Sequence, residues 1–305
     1  MKINFPYSAN INFLRYSKIY YIFSGILALL AIFSIFVFGL KFGIDFLGGS
    51  ILEVDFENRP ENKIIQEKLA NLNLGEIVVQ PTGNNGVILR MTEISEETHQ
   101  EVVSKLQEIS PVQEKRFETV GPSIGRELRN KTIILIIVSL ISLLIYIAIA
   151  FRKVSRPLFS WQYGIISIIA LLFDILIPIG LLALLGKLYN VQFNIPIITA
   201  LLTILGYTIN DKVIIFDRVR ENITCFRGEG FKDLVNRSLN QTLSRSLSTG
   251  FCTLLVLISL FFFGGETLKY FSLILIAGIA VGTYSSIFLA APFLVSLYNF
   301  RLKRQ

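Results

Sequence analysis

Five stretches of this chain are long enough to cross a bilayer and contain no charged residue, and a sixth contains one. They are Ile19 to Leu40, Thr132 to Phe151, Leu188 to Asn210, Ser246 to Gly265 and Tyr270 to Phe300, with Pro157 to Gly186 carrying Asp174 alone. A helix needs about 20 apolar residues to span the hydrocarbon core. The runs therefore predict a multi-pass α-helical membrane protein with six spans, at 19–40, 131–151, 158–185, 194–217, 246–265 and 270–298. Charged residues are 17% of the chain and hydrophobic ones 52%, against about 25% charged in soluble domains. An ordinary soluble enzyme does not have this composition. The first run is too long for a signal-peptide core, and Val37 to Lys41 offers no small-x-small cleavage site, so it is read as retained.

An even number of spans puts both ends of the chain on one face. The short connecting segments decide which face. The tail at 1–18, the link after span 2, the loop at 218–245 and the tail at 299–305 carry fifteen Lys and Arg residues, Arg245 among them. The opposite short loops offer only Lys187 and Lys269. Basic short loops stay in the cytoplasm. The expectation is an inner (plasma) membrane protein with cytoplasmic termini. The net charge of +7 follows from this topology, and no nucleic-acid partner is needed to explain it. Cys225 and Cys252 make neither a disulfide framework nor a zinc site, and His99 is the single histidine. No metal site is expected.

Residues 41–130 form the one large extramembrane segment, read as extracytoplasmic. Long loops are exempt from the charge rule. Ser50 to Phe56 alternates apolar and polar residues as a half-buried strand does. Ile64, Ile65, Leu69 and Leu72 recur at helical spacing. Glu76 to Gln80 and Gly86 to Thr92 read as strands joined by the turn-rich Pro81 to Asn85. A helix begins at Ser95, and Val112 to Val120 is a last strand. The order β-α-β-β-α-β predicts a ferredoxin-like α+β domain. His99, among polar neighbours, reads as a surface residue. No Walker loop, nucleophile elbow or paired ligand motif is present, so the chain is not read as an enzyme and no cofactor is expected.

Ionisable residues inside spans are costly and usually face a cavity or a partner. Asp211 lies in the cytoplasmic half of span 4, on one helix face with Ile204, Thr208, Ile215 and Arg218. It reads either as a proton-binding carboxylate or as a structural ion pair. Arg245 opens span 5, as a fixed counter-charge or a topological anchor. Asp174, in span 3 one turn from Pro178, must be protonated, paired or hydrated. The small residues Ala277, Gly278, Ala280, Gly282, Ser285 and Ser286 of span 6 permit close packing, within the chain or against a second protein.

Four segments, in order, resemble the SecD/SecF family of protein-export subunits. Phe42-Gly43-Ile44-Asp45-Phe46-Leu47-Gly48-Gly49-Ser50 resembles the signature that opens that family's large loop. Val120-Gly121-Pro122-Ser123-Ile124-Gly125 resembles the stretch leading to span 2. Leu205 to Asn222, which includes Asn210, Asp211 and Lys212, resembles the SecF form of span 4. Leu239-Asn240-Gln241-Thr242-Leu243-Ser244-Arg245 resembles the start of span 5. With six spans and one outer domain, the likeness covers nearly the whole chain. The length favours a separate SecF-type chain over a fused SecDF.

The resemblance implies half of an RND-type transporter fold. It also implies partnership with SecD, the SecYEG channel, YajC, a translocating preprotein and membrane lipid. Proton flow would drive late translocation and block backsliding, without nucleotide hydrolysis. Asp211 would be the protonatable carboxylate, Arg245 its charged partner and Asn210 a neighbouring polar group; Asp174, by its place in span 3 and not by the resemblance, reads either as a further coupling residue or as a structural hydrogen-bonding group. Gly48 and Gly49 would allow tight turns where span 1 meets the outer domain. One position departs: the residue after Asp211 is usually small or hydroxylated in that family and here is Lys212, expected either to act on Asp211 or to snorkel to the cytoplasmic surface. Two other readings stay open, half of an RND-type small-molecule exporter and a purely structural assembly subunit.

Overall fold

The structure is a computed structural model that describes residues 11–150, 159–226 and 228–303. Of the basic residues behind the topology argument, Lys2, Arg152, Lys153, Arg156, Arg227 and Arg304 lie outside the described residues. The chain divides into two compact parts, Leu40–Ile136 with Gly186–Ile195, and the remainder.

In the first part, α2 (Ile44–Leu47) is followed by β1 (Gly49–Phe56), α3 (Asn62–Leu69), β2 (Val78–Thr82), β3 (Gly86–Met91), α4 (Glu96–Gln107) and β4 (Val112–Val120). The strands form one antiparallel sheet in the order β2-β3-β1-β4. This is the β-α-β-β-α-β arrangement expected from the sequence. Alternation along β1 sends Leu52, Val54 and Phe56 into the core, where Ile65 and Leu69 of α3 and Val102 and Leu106 of α4 cover them. The Ser95 hydroxyl caps α4 by accepting from the Thr98 amide at 3.3 Å, and Glu96 and Glu97 sit favourably in its first turn. The two outer strands are blunted. β2 contains Pro81, and β4 presents Glu114, Lys115, Arg116 and Glu118.

One expectation fails here. His99 is buried, not on the surface. Its ring stacks on Phe117 at 3.8 Å between centroids. Nδ1 lies 3.2 Å from Glu96 Oε1, and Nε2 lies 3.2 Å from Glu114 Oε2. The polar neighbours of His99 in sequence are on its own helix. What buries it is β4, brought alongside by the fold.

The second part is helical. Six helices are long and apolar enough to cross a membrane among the described residues. α1 (Ser17–Phe38), α5 (Pro122–Ala150), α6 (Ser160–Tyr189), α7 (Ile195–Cys225), α8 (Phe231–Phe263) and α9 (Gly265–Ser285) carry the apolar runs. A π-helical turn, Ser286–Ala290, joins α9 to α10 (Ala291–Leu302). Pro292 lacks the amide that would bond the Phe288 carbonyl, consistent with the local change of pitch. The interior of this part is built from Tyr163, Ile166 and Ala170 of α6, Leu205, Ile209 and Phe216 of α7, and Leu294 of α10. Large apolar side chains of α1, such as Leu29 and Phe36, and of α8, such as Val256 and Phe263, point outward.

The segment expected as a loop at 218–245 is largely helical. α7 runs on to Cys225 and α8 starts at Phe231. Hydropathy marks where a helix leaves apolar surroundings, not where its hydrogen bonding ends. Side-chain amides stitch the polar extensions together. Asn222 Nδ2 donates to Ser238 Oγ at 2.8 Å and to Gln241 Oε1 at 2.9 Å. Asn240 Nδ2 donates to the Ile11 carbonyl at 2.9 Å, and its Oδ1 accepts from the Ile11 amide at 3.0 Å.

Candidate functional site

Gly282 of α9 lets three helices converge. A side chain there would overlap Thr208 of α7, so only glycine permits this approach. One turn away, Gly278 receives Ile204 in the same manner. These small residues of span 6 thus serve packing within the chain.

At this close approach sits a fully buried ion pair. Lys212 Nζ of α7 donates to Asp174 Oδ2 of α6 at 2.5 Å, and neither side chain is exposed to solvent. The same ammonium lies 3.4 Å from the Thr208 carbonyl and 3.4 Å from Ser286 Oγ. Ser285 Oγ donates to the other carboxylate oxygen, Asp174 Oδ1. Pro178, four residues on from Asp174, has no amide to offer the Asp174 carbonyl. Of the states open to Asp174, the structure shows the paired one. Lys212 does not snorkel, because the oxygens that solvate it are inside.

Asp211 is the neighbouring charge and is 2% exposed. Its Oδ2 is buried and accepts no hydrogen bond among the described residues. Three buried hydroxyls, Thr208 Oγ1 of α7, Ser246 Oγ of α8 and Thr283 Oγ1 of α9, also lack partners among the described residues. The charges near enough to act on Asp211 are Lys212, Arg245 and Asp174.

The other expected residues are not drawn in. Arg245 is exposed, and no direct ion pair joins it to Asp211; the short contact inside the bundle is Lys212 to Asp174. Asn210 is exposed as well. It precedes Asp211 by one helical residue and so points about 100° away. Arg218 pairs with Glu221 at 2.6 Å, not with Asp211.

The glycine pair lies in the α+β part. Gly48 has φ +81° and Gly49 φ +127°, conformations that favour glycine. A Cβ on Gly48 would lie 2.9 Å from the Pro122 Cα, and one on Gly49 would lie 2.7 Å from the Met91 carbonyl. The same segment holds a residue that sequence reasoning passed over. Asp45 Oδ2 accepts from the Ile195 amide at 2.8 Å, satisfying one of the open donors at the start of α7. The Gly43 amide donates to the Phe193 carbonyl at 2.9 Å, and the Phe193 amide to the Lys41 carbonyl at 2.6 Å. Asp45 was legible as the one acid in an otherwise apolar and glycine-rich stretch.

Residues 101–300 match the family "Protein export membrane protein SecD/SecF, C-terminal", and residues 33–58 match the "SecD/SecF GG Motif". The protein translocase subunit SecF of Thermobaculum terrenum is 39% identical over 304 residues, covering 95% of this chain and 94% of that one. The chain belongs to the SecF translocase subunits of the SecD/SecF family. The SecF subunit of Rickettsia bellii is 33% identical, covering 98% of this chain and 97% of its own. The crystal structure of SecDF from Thermus thermophilus, a translocon-associated membrane protein, superposes with TM-score 0.84 at 35% identity. The match covers 95% of this SecF-type chain and 39% of that longer one.

Proposed function

We propose that this SecF-family chain works with a SecD partner at the SecYEG channel, alongside YajC, and that proton movement through Asp211 drives late preprotein translocation and blocks backsliding. Its termini lie in the cytoplasm and residues 41–130 on the opposite face of the inner membrane. The observation that carries the reading is the contrast between two buried carboxylates on adjacent helices. Asp174 has an ammonium at 2.5 Å. Asp211 Oδ2 has no donor among the described residues. A buried carboxylate without a partner is costly when ionised, so Asp211 is the group in this cluster whose charge the fold leaves free to change. Arg245 serves as a counter-charge acting at a distance, and Asp174 and Lys212 are the charges beside it; Asn210, exposed on another face of the helix, takes no part in this arrangement.

The magnitude suits the task. One elementary charge moved through the membrane field is worth about 2.3 kcal/mol per 100 mV. That shifts a two-state element more than tenfold, yet falls short of unfolding a typical domain in one step. The device biases a chain that is already unfolded.

The test is preprotein export in vesicles carrying Asp211→Asn, with assembly checked by co-purification of the SecD partner. The expected result is normal assembly with loss of the export stimulation that depends on the proton gradient. Full stimulation with normal assembly would overturn the assignment and favour a structural subunit.

A further inference from the structure

The polar surroundings of the Lys212 ammonium are oxygens. Its contacts are a carboxylate oxygen of Asp174, the Thr208 carbonyl and the Ser286 hydroxyl. All are hard oxygen donors, the ligand class that hard metal cations take. They come from α6, α7 and the π-helical turn, so no single element makes the site by itself. Ser285 donates to the second oxygen of Asp174, which aims the first at the cation. One carboxylate supplies one negative charge, which matches a monovalent ion and undercharges the site for a divalent one. The charge beside this point is Asp211, whose Oδ2 has no hydrogen-bond partner among the described residues, and Arg245 acts in turn on Asp211.

We propose that Lys212 is a tethered cation filling a sodium-type site, and that it determines ion specificity by excluding sodium from the helical bundle. An ammonium carried by the chain cannot be diluted away, so the site is filled at every sodium concentration. Removing the ammonium while keeping the oxygens opens the site to sodium. The consequence for transport, coupling that ignores sodium, rests on the proton reading above, whereas the binding itself does not.

The experiment is thermal unfolding of the purified full chain in NaCl against choline chloride at matched ionic strength. The native chain is expected to melt identically in both. Lys212→Ser is expected to melt low in choline and to gain on the order of 5 °C in NaCl, with saturation, as a bound ligand stabilises the folded state. Asp174→Asn combined with Lys212→Ser removes both charges and is expected to fold without any sodium response. A specific sodium stabilisation of the native chain overturns the proposal. So does Lys212→Ser that folds with no sodium response, or that fails to accumulate even when purified in NaCl while the double variant folds. The readout is binding, so it stands apart from an export assay of Asp211→Asn, and either idea fails without the other.

Discussion

Charge pairing at the centre of the helical part can be measured by a double-variant cycle on Asp174 and Lys212. The two side chains meet at 2.5 Å and are entirely shielded from solvent. Removing one partner strands the other as a buried charge, which costs about 3–5 kcal/mol. Asp174→Asn alone and Lys212→Met alone should therefore each lower the folding equilibrium roughly a hundred- to several-thousand-fold, at about 1.36 kcal/mol per decade. Replacing both leaves no charge behind, and well-packed neutral replacements of buried pairs are often neutral. The double variant is expected within about 1 kcal/mol of the native chain, giving a coupling energy of several kcal/mol. A reversible unfolding titration with SDS in mixed micelles, followed by tryptophan or circular dichroism signals, reads all four proteins. Additive losses, with the double variant as weak as the sum of the singles, would refute the argument, because two groups that do not touch cannot compensate one another.

Two further outcomes follow from the structure. Gly282→Ala places a methyl group against Thr208 and should cost about 1–3 kcal/mol by overpacking in the same SDS titration; a neutral result would mean α7 and α9 are not in close contact there. In the α+β part, hydrogen bonds from Lys68 and Lys105 hold the Glu108 carboxyl below the usual glutamate range. A carboxyl depressed in the folded state contributes stability above its unfolded pKa, about 4.3, and loses it as pH falls through the lower folded value. Melting curves of the native chain and Glu108→Gln should therefore differ at neutral pH and converge on acidification, and a constant gap would contradict the assignment.

The readable part of this protein was whatever depends on local pattern. The alternation of Ser50 to Phe56 placed a strand, the helical spacing of Ile65 and Leu69 placed α3, and six apolar runs, five of them uncharged, placed six helices. The illegible part was pairing across elements. Nothing near Lys212 in sequence announces Asp174, 38 residues earlier. A lysine in an apolar span looks like a residue seeking water until a second helix supplies oxygens. His99 of α4 shows the same blindness, since Phe117 reaches it from β4. Arg245 and Asn210 were placed near Asp211 by family likeness and by sequence proximity, and helix geometry turns both outward. Asp211 was found because a lone acid in an apolar helix is costly wherever the helix packs.

The blunted sheet has a consequence for encounters with extended polypeptide. An extended polypeptide binds a free sheet edge through its backbone, whatever its sequence, and is then hard to release. Here one edge lacks an amide at Pro81 and the other is lined with Glu114, Lys115, Arg116 and Glu118, features that discourage strand addition. The domain is thereby protected against capture by β-augmentation. Under the proposed function, any grip on a passing segment would fall to side chains, which hold weakly and let go.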